Sequence, residues 1–317
     1  MNNNTLKIGL AQLSPVWLNR QKTLEKILEC HEEAAVQGCG LLVFGETYLP
    51  GYPFWIELTD GARFNSQFQK EMHAHYFTEA VQIERGDLSQ LCEACKAKEM
   101  AVIIGCLERP IDRGGHSVYC SLVYIDQKGV IQSVHRKLMP TYEERLSWAP
   151  GDGHGLRVHP IGEFTLGALN CWENWMPLVR ASLYGMGEDL HIAIWPGNVR
   201  NTEILTRSIA EESRSYVVSV CSVLKREQIP ADIPHAAEII EKSPEALANG
   251  GSCVANPDGS WLLPPQANTE GLFTVEIDHE RVKQERQNFD PSGHYSRPDV
   301  TQLTVNRKRQ SVLKIED

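Results

Sequence analysis

The residue best placed for covalent chemistry is Cys171, in the segment ALNCWENWMPL, where an apolar strand pattern gives way to a helix pattern with Pro177 in its first turn. A side chain on a tight strand-to-helix turn projects out of the sheet. The free backbone N–H groups of such a turn can favour a thiolate and stabilise a developing anion. The other cysteines lack that setting: Cys30, Cys39, Cys106, Cys120, Cys221 and Cys253 lie in or beside helix and strand patterns and read as core thiols. Cys92 and Cys95 form a C-x-x-C pair in SQLCEACKAK, but no second pair follows, so they read as one packed helix face rather than a zinc or redox site.

Two ionisable residues have comparable promise. Glu46, in FGETYLPGYP, follows the apolar strand LLVF and is flanked by Tyr48, Tyr52, Phe54 and Trp55. Partial desolvation there raises a carboxyl pKa toward the range useful to a general base. Lys137 ends the strand VIQSVHRK and opens a loop, LMPTYEERLSWAPGDG, that is too rich in Trp, Tyr, Met and Pro to lie loose in water. Each residue also has a bland reading, since carboxylates and lysines at strand ends are ordinarily solvated.

These residues need a scaffold, and the chain supplies alternating elements. LKIGLAQL (6–13) reads as a buried opening strand, followed by helical spacing at Leu24, Ile27, Leu28 and Ala35, then LLVF (41–44) and a helix over about 62–80. Asp87 is expected to cap a helix ending near Lys98. AVIIGCLE, VYCSLVYID and VIQSVHRK then read as three strands joined by short turns. FTLGALN, LHIAIW and YVVSVCSV are further strands, separated by helices over PLVRASLYG and TEILTRSIAEES. Residues 225–249 read as an inserted loop or short helix over the surface, in the manner of a lid. A hairpin around Pro257–Asp258–Gly259 and the strand GLFTVEID precede a helix near Asp278. With no repeat, linker or composition shift, 1–290 is expected to be a single domain and 291–317 an irregular C-terminal tail available for oligomer contacts.

Composition narrows the partners. The 317 residues carry a formal net charge of −10, which repels phosphate backbones and anionic membrane surfaces. The basic cluster Arg307, Lys308 and Arg309 lies in the tail, so neither nucleic acid nor membrane is an expected partner. There is no unbroken apolar run of about eighteen residues, and the polar start MNNNTLK lacks the layout of a secretion signal. Nine cysteines, an odd number, fit reduced thiols in a cytoplasmic protein.

Taken together and in this order, FGETYLPGYP, HRKLMPTYEER and NCWENWMPL resemble the three signature segments of the nitrilase superfamily, and LKIGLAQLSP, AIWPGN and GHYSRPD extend the resemblance over nearly the whole chain. The resemblance implies an α/β fold, a four-layer α-β-β-α sandwich of mixed sheets with helices outside, with a Glu–Lys–Cys triad and no metal or organic cofactor. Carried over position by position, Cys171 is the nucleophile, Glu46 the general base and Lys137 the cation that steadies negative charge. Glu144 matches a second glutamate that helps position substrate and lysine. The words Trp172–Glu173 and KLMPTYEER are similar to the true nitrilase branch. That implies hydrolysis of a small-molecule nitrile with water to a carboxylic acid and ammonia, through a thioimidate and then a thioester. It also implies a homodimer or higher homo-oligomer, extending to a spiral.

Tyr52, Trp55, Tyr142, Trp172, Trp195 and Pro196 are candidates to wall an apolar substrate pocket, with ordinary core packing as the competing reading. Three positions depart from the resemblance: Asn174 where nitrilases usually carry His, Cys120 where Asn is common, and Gly45 where proline is frequent. An amidase or carbamoylase with the same triad is the nearest alternative. A non-catalytic binding protein on this fold is the alternative from another class, and the intact Glu, Lys and Cys argue against it. G-x-S-x-G and H-E-x-x-H do not occur, which argues against a serine hydrolase and a zinc hydrolase.

Overall fold

Runs such as LLVF and AVIIGCLE are apolar at nearly every position, which suits strands covered on both faces, and every residue of both is buried. The computed structural model describes residues 4–313 and 315–316; the first three residues of the polar start lie outside them. In chain order the strands are β1 (Thr5–Gln12), β2 (Leu41–Phe44), β3 (Ala101–Glu108), β4 (Tyr119–Ile125), β5 (Ile131–Arg136), β6 (Val158–Ile161), β7 (Phe164–Asn170), β8 (Leu190–Trp195), β9 (Tyr216–Cys221), β10 (Val223–Lys225), β11 (Ala246–Ala255), β12 (Trp261–Ala267) and β13 (Gly271–Asp278). The helices are α1 (Arg20–Val36), α2 (Trp55–Leu58), α3 (Gln67–Thr78), α4 (Ser89–Lys98), α5 (Pro177–Tyr184), α6 (Val199–Ser213), α7 (Ala236–Lys242) and α8 (His279–Arg286). No helix among the described residues is long and apolar enough to cross a membrane.

The strands form two mixed sheets, ordered β13-β1-β2-β3-β4-β5 and β10-β11-β9-β8-β7-β6, with β12 paired to β11. In each sheet a parallel trio, β1-β2-β3 or β7-β8-β9, forms the centre. Because successive side chains in a strand point to opposite faces, each central strand feeds two cores. Leu41 and Val43 of β2 face the other sheet, where they meet the cluster of Ile192 and Ile194 from β8. Leu42 and Phe44 point outward to Leu24 and Ile27 of α1 and Leu91 of α4. On the far side, Ala193 and Trp195 pack with Leu205 and Ile209 of α6, and Leu169 packs with Val179 and Leu183 of α5. The result is the expected α-β-β-α sandwich.

Local chemistry decides several boundaries. Asn19, Asn198 and Asp278 cap α1, α6 and α8 by accepting backbone N–H groups of the first turn. The helix expected over 62–80 is shorter: Ser66 caps α3 at Gln67, and residues 59–65 are turns in which Asp60 and Asn65 have positive φ. Asp87 does not cap α4, whose N-cap is Leu88; its carboxylate instead accepts from the backbone N–H of Gln82 and from Arg20. The 225–249 segment is packed rather than laid loosely on the surface. Ile229, Ile233, Ala236 and Ile239 join Trp17, Trp55, Met72 and Tyr76 in a third apolar cluster with α2 and α3.

The inter-sheet layer is expected to carry the stability. Ile192 is fully buried there, and Ile192→Ala is expected to destabilise the fold by about 2–5 kcal/mol through lost transfer energy and the cavity left behind. Urea unfolding with an unchanged m-value measures it; a loss below about 0.5 kcal/mol contradicts this placement of the core.

Candidate active site

Glu46 lies just past the C-terminal end of β2, Lys137 just past β5 and Cys171 just past β7, so three strand ends from two sheets deliver the three side chains. Glu46 donates its backbone N–H to the carbonyl of Trp195 in the opposite sheet (3.0 Å). That approach needs glycine at 45, because a Cβ there would stand 2.5 Å from Ser222 Oγ and 2.8 Å from the Trp195 carbonyl. A Cβ at Gly105 would stand 2.4 Å from the Gly45 carbonyl and 2.5 Å from the Thr47 nitrogen. The departure from proline at position 45 thus fits the close approach of the two sheets.

Lys137 is the hub. Its Nζ lies 2.7 Å from Glu46 Oε1 and 2.7 Å from Glu144 Oε2, with all three side chains buried. Glu144 sits in a 3-10 turn over Tyr142–Leu146. There Thr141 caps the turn and donates its backbone N–H to Glu144 Oε2 at 2.6 Å. Tyr52 donates its hydroxyl to Glu144 Oε1 at 2.8 Å, which leaves that carboxylate fully engaged. Glu46 differs: Oε1 is held by Lys137, whereas Oε2 is buried and has no hydrogen-bond partner among the described residues.

Cys171 opens a 3-10 turn over Cys171–Trp175 with a φ of 44°. That left-handed conformation is strained for a non-glycine residue and persists only where the surroundings enforce it. The Cys171 sulfur, one oxygen of Glu46 and one of Glu144 all lie within 4.8 Å of one another. Two carboxylates and a thiol are a donor set that a metal ion could use. Here the Lys137 ammonium already lies against both carboxylates and supplies the positive charge an ion would bring.

The electrostatics follow from burial. Exclusion from water pushes the Glu46 carboxyl up to about 7, with Glu144 adding to the rise and Lys137 opposing it. The Cys171 thiol is driven well above its ordinary range by burial and the nearby Glu46, against the pull of Lys137 and the Trp172 backbone N–H. Sulfur therefore holds its proton at rest, and the turn's N–H does not by itself produce the thiolate. Burial alone would lower Lys137, but Glu46, Cys171 and Glu144 outweigh it and keep the amine charged.

The aromatic candidates divide. Tyr52 touches the site through Glu144 and packs edge-on to Trp148. Trp195 shares a buried cluster with Cys171 and donates its indole N–H to Ser219. Trp172 is half exposed beside the cysteine, and Pro196 is half-buried at the end of β8. Trp55 is enclosed against Trp17 and Tyr76, and Tyr142 is 84% exposed.

The sequence did not announce what holds the turn. Glu173, fully buried, accepts from the backbone N–H of Asn170 (2.9 Å), the backbone N–H of Leu138 (2.7 Å) and His135 Nε2 (3.0 Å). One carboxylate therefore ties the residue before Cys171 to the residue after Lys137. His135 and the two N–H groups keep Glu173 ionised below its ordinary range although burial works against it. Asn170-x-x-Glu173 is a capping-box spacing and was the available signal. Behind it, Asn174 donates to the Cys171 carbonyl (2.8 Å) and pairs with His191 (2.7 Å), which in turn pairs with Glu188 (2.8 Å).

Fold and site together define an α-β-β-α hydrolase with a buried Glu–Lys–Cys cluster, and a family model described as carbon-nitrogen hydrolase matches residues 7–287. The chain belongs to the carbon-nitrogen hydrolase family. It is 33% identical to "Nitrilase 2" of an unknown prokaryotic organism over 98% of this chain and 95% of that one. It is 32% identical to an aliphatic nitrilase of Rhodococcus rhodochrous over 96% and 84% respectively. A crystal structure of a carbon-nitrogen hydrolase from Helicobacter pylori G27 superposes with a TM-score of 0.69 at 21% identity, covering 94% of this chain and 97% of that one.

Glu173→Gln keeps the size of the side chain but sets an NH2 group against one of two backbone N–H donors. Since small misplacements of reacting groups are costly, kcat is expected to fall by about 10²-fold with KM changed far less. An unchanged kcat in steady-state assays contradicts the clamp.

Proposed function

We propose that this protein is a nitrilase that converts a small organic nitrile and two waters into a carboxylic acid and ammonia, with Cys171 as nucleophile. The observation that carries the reading is the unequal engagement of Glu46. Oε1 is fixed by the Lys137 ammonium, whereas Oε2 is buried with no hydrogen-bond partner among the described residues, in a carboxylate that has one oxygen within 4.8 Å of the thiol sulfur. Glu46 Oε2 is then the base that takes the Cys171 proton as sulfur adds to the nitrile carbon, and the proton passes to nitrogen to give a thioimidate. Water adds with Glu46 again as base, the C–N bond breaks and ammonia leaves, and a thioester remains. A second water adds, the C–S bond breaks, and the acid departs as the thiol regains its proton. Lys137 and the Trp172 backbone N–H stabilise the negative charge that develops at each addition. Glu144 and Tyr52 hold Lys137 in place.

Nitrile rather than amide is favoured by the full-length similarity to proteins named nitrilases and by the Trp172–Glu173 wording. Tyr52, Trp172, Trp195 and Pro196 are the proposed substrate walls; the positions of Trp55 and Tyr142 support core packing for the first and a surface role for the second. We read 1–290 as a single domain, the protein as cytoplasmic, and the assembly as at least a homodimer. The exposed Trp175 and Leu178 around the start of α5 support self-association.

Ammonia release from a panel of aliphatic, arylacetic and aromatic nitriles, cyanide and the matching amides tests the reading. Nitriles are expected to turn over faster, Cys171→Ala is expected to abolish turnover while the melting temperature survives, and faster amide turnover overturns the nitrile assignment. Because the base must be ionised to accept the proton and its carboxyl sits at about 7, kcat/KM is expected to fall as pH drops through about 7. A profile flat down to pH 5 contradicts Glu46 as the base.

A further inference from the structure

Cys120 reads from sequence as a core thiol, yet it lies on the Glu46 carboxylate. Its Sγ is 3.4 Å from Glu46 Oε1, accepts from Thr47 Oγ1 at 3.3 Å and has Asn170 Oδ1 at 3.8 Å. The residue is 1% exposed, so these contacts are shielded from bulk solvent. We propose that Cys120 is a positioning residue that sets how readily Glu46 takes a proton, by giving Oε1 a weak S–H donor where a hydroxyl or amide would give a strong one.

The proposal rests on Glu46 acting as the general base. A hydrogen bond to the charged form of an acid makes that form easier to reach and weaker as a base. S–H is a poor donor. Cys120 therefore fixes the carboxylate's orientation with little loss of basicity, and the Thr47 hydroxyl, donating to the sulfur, polarises the S–H toward Oε1. With Oε1 bound by Lys137 and Cys120, the oxygen turned free is Oε2. The other groups facing Glu46 are Lys137 beyond β5, Glu144 in the 3-10 turn, and Cys171 beyond β7. The phenols of Tyr52 and Tyr76 lie close enough to feel its charge, and burial holds both neutral. From the neighbouring β3 strand, Gly105 lies against the Glu46 backbone, where an added Cβ would stand 2.8 Å from its Cα, and the β3 carboxylate of Glu108 is paired with Arg136.

The test is the acidic limb of kcat/KM against pH for the full-length wild type, Cys120→Ser and Cys120→Ala, on the nitrile turned over fastest, with Glu46→Gln assayed alongside. Serine is isosteric and a stronger donor, so its limb is expected to lie about half to one pH unit below the wild type. Alanine, with no donor, is expected to lie above it. A purely packing role changes melting temperature without ordering the limbs. Coincident limbs in folded variants, or a serine limb at or above the wild type, overturn the proposal. If Cys120→Ala does not fold, serine against wild type decides alone. An inactive Glu46→Gln with coincident limbs removes the role of Cys120 only, whereas an active Glu46→Gln removes the base assignment and this proposal with it.

Discussion

A buried ammonium set between two carboxylates is the constraint on which the site depends. Lys137, Glu46 and Glu144 are removed from water, and burying charges is unfavourable unless they are paired with good geometry. One ammonium and two carboxylates leave an excess negative charge in a low-dielectric space. That excess is relieved when Glu46 binds a proton, and the nearest proton that chemistry needs to move is on Cys171. The arrangement that makes the cluster tolerable is thus the one that makes Glu46 a base near neutral pH.

Convergence is a property of the sandwich and not of any local segment. Glu46 comes from the sheet that contains β2, Cys171 from the sheet that contains β7. The two are registered by the Glu46 N–H on the Trp195 carbonyl and by Glu173 bridging the Lys137 and Cys171 segments. Gly45 permits the close approach of the sheets, Gly105 lets the Gly45–Thr47 backbone lie against β3, and the inter-sheet layer of Leu, Ile and Val sets the spacing. The strained φ of Cys171 is held from below by Asn174 and by the Glu188–His191 pair. These buried polar groups explain why a loop-borne nucleophile is placed with the precision of a core residue.

Much of the scaffold was legible because strand and helix periodicities are local. LLVF, AVIIGCLE, FTLGALN and LHIAIW are strands, and the turn at Cys171 announced itself by the change of period and by Pro177. Asp87 was misread as a cap because its sequence position fits one, while its carboxylate is drawn to Arg20 and the Gln82 N–H instead. Cys120 was taken for packing because alternation in a strand reports burial and says nothing of what lies opposite. Glu173 had a local signature, but its partners Leu138 and His135 are far away in the chain. Long-range pairing is what single-residue patterns cannot encode.

The most direct measurement is peptide mass spectrometry of the enzyme quenched with acid during nitrile turnover. The expected result is the mass of the bound nitrile or its acyl group on the peptide containing Cys171, and on no other cysteine peptide. A folded, turning-over enzyme that carries the adduct on Cys120 or another residue, or that leaves Cys171 unmodified under rapid quench, contradicts the central claim that these buried groups converge to activate that one thiol.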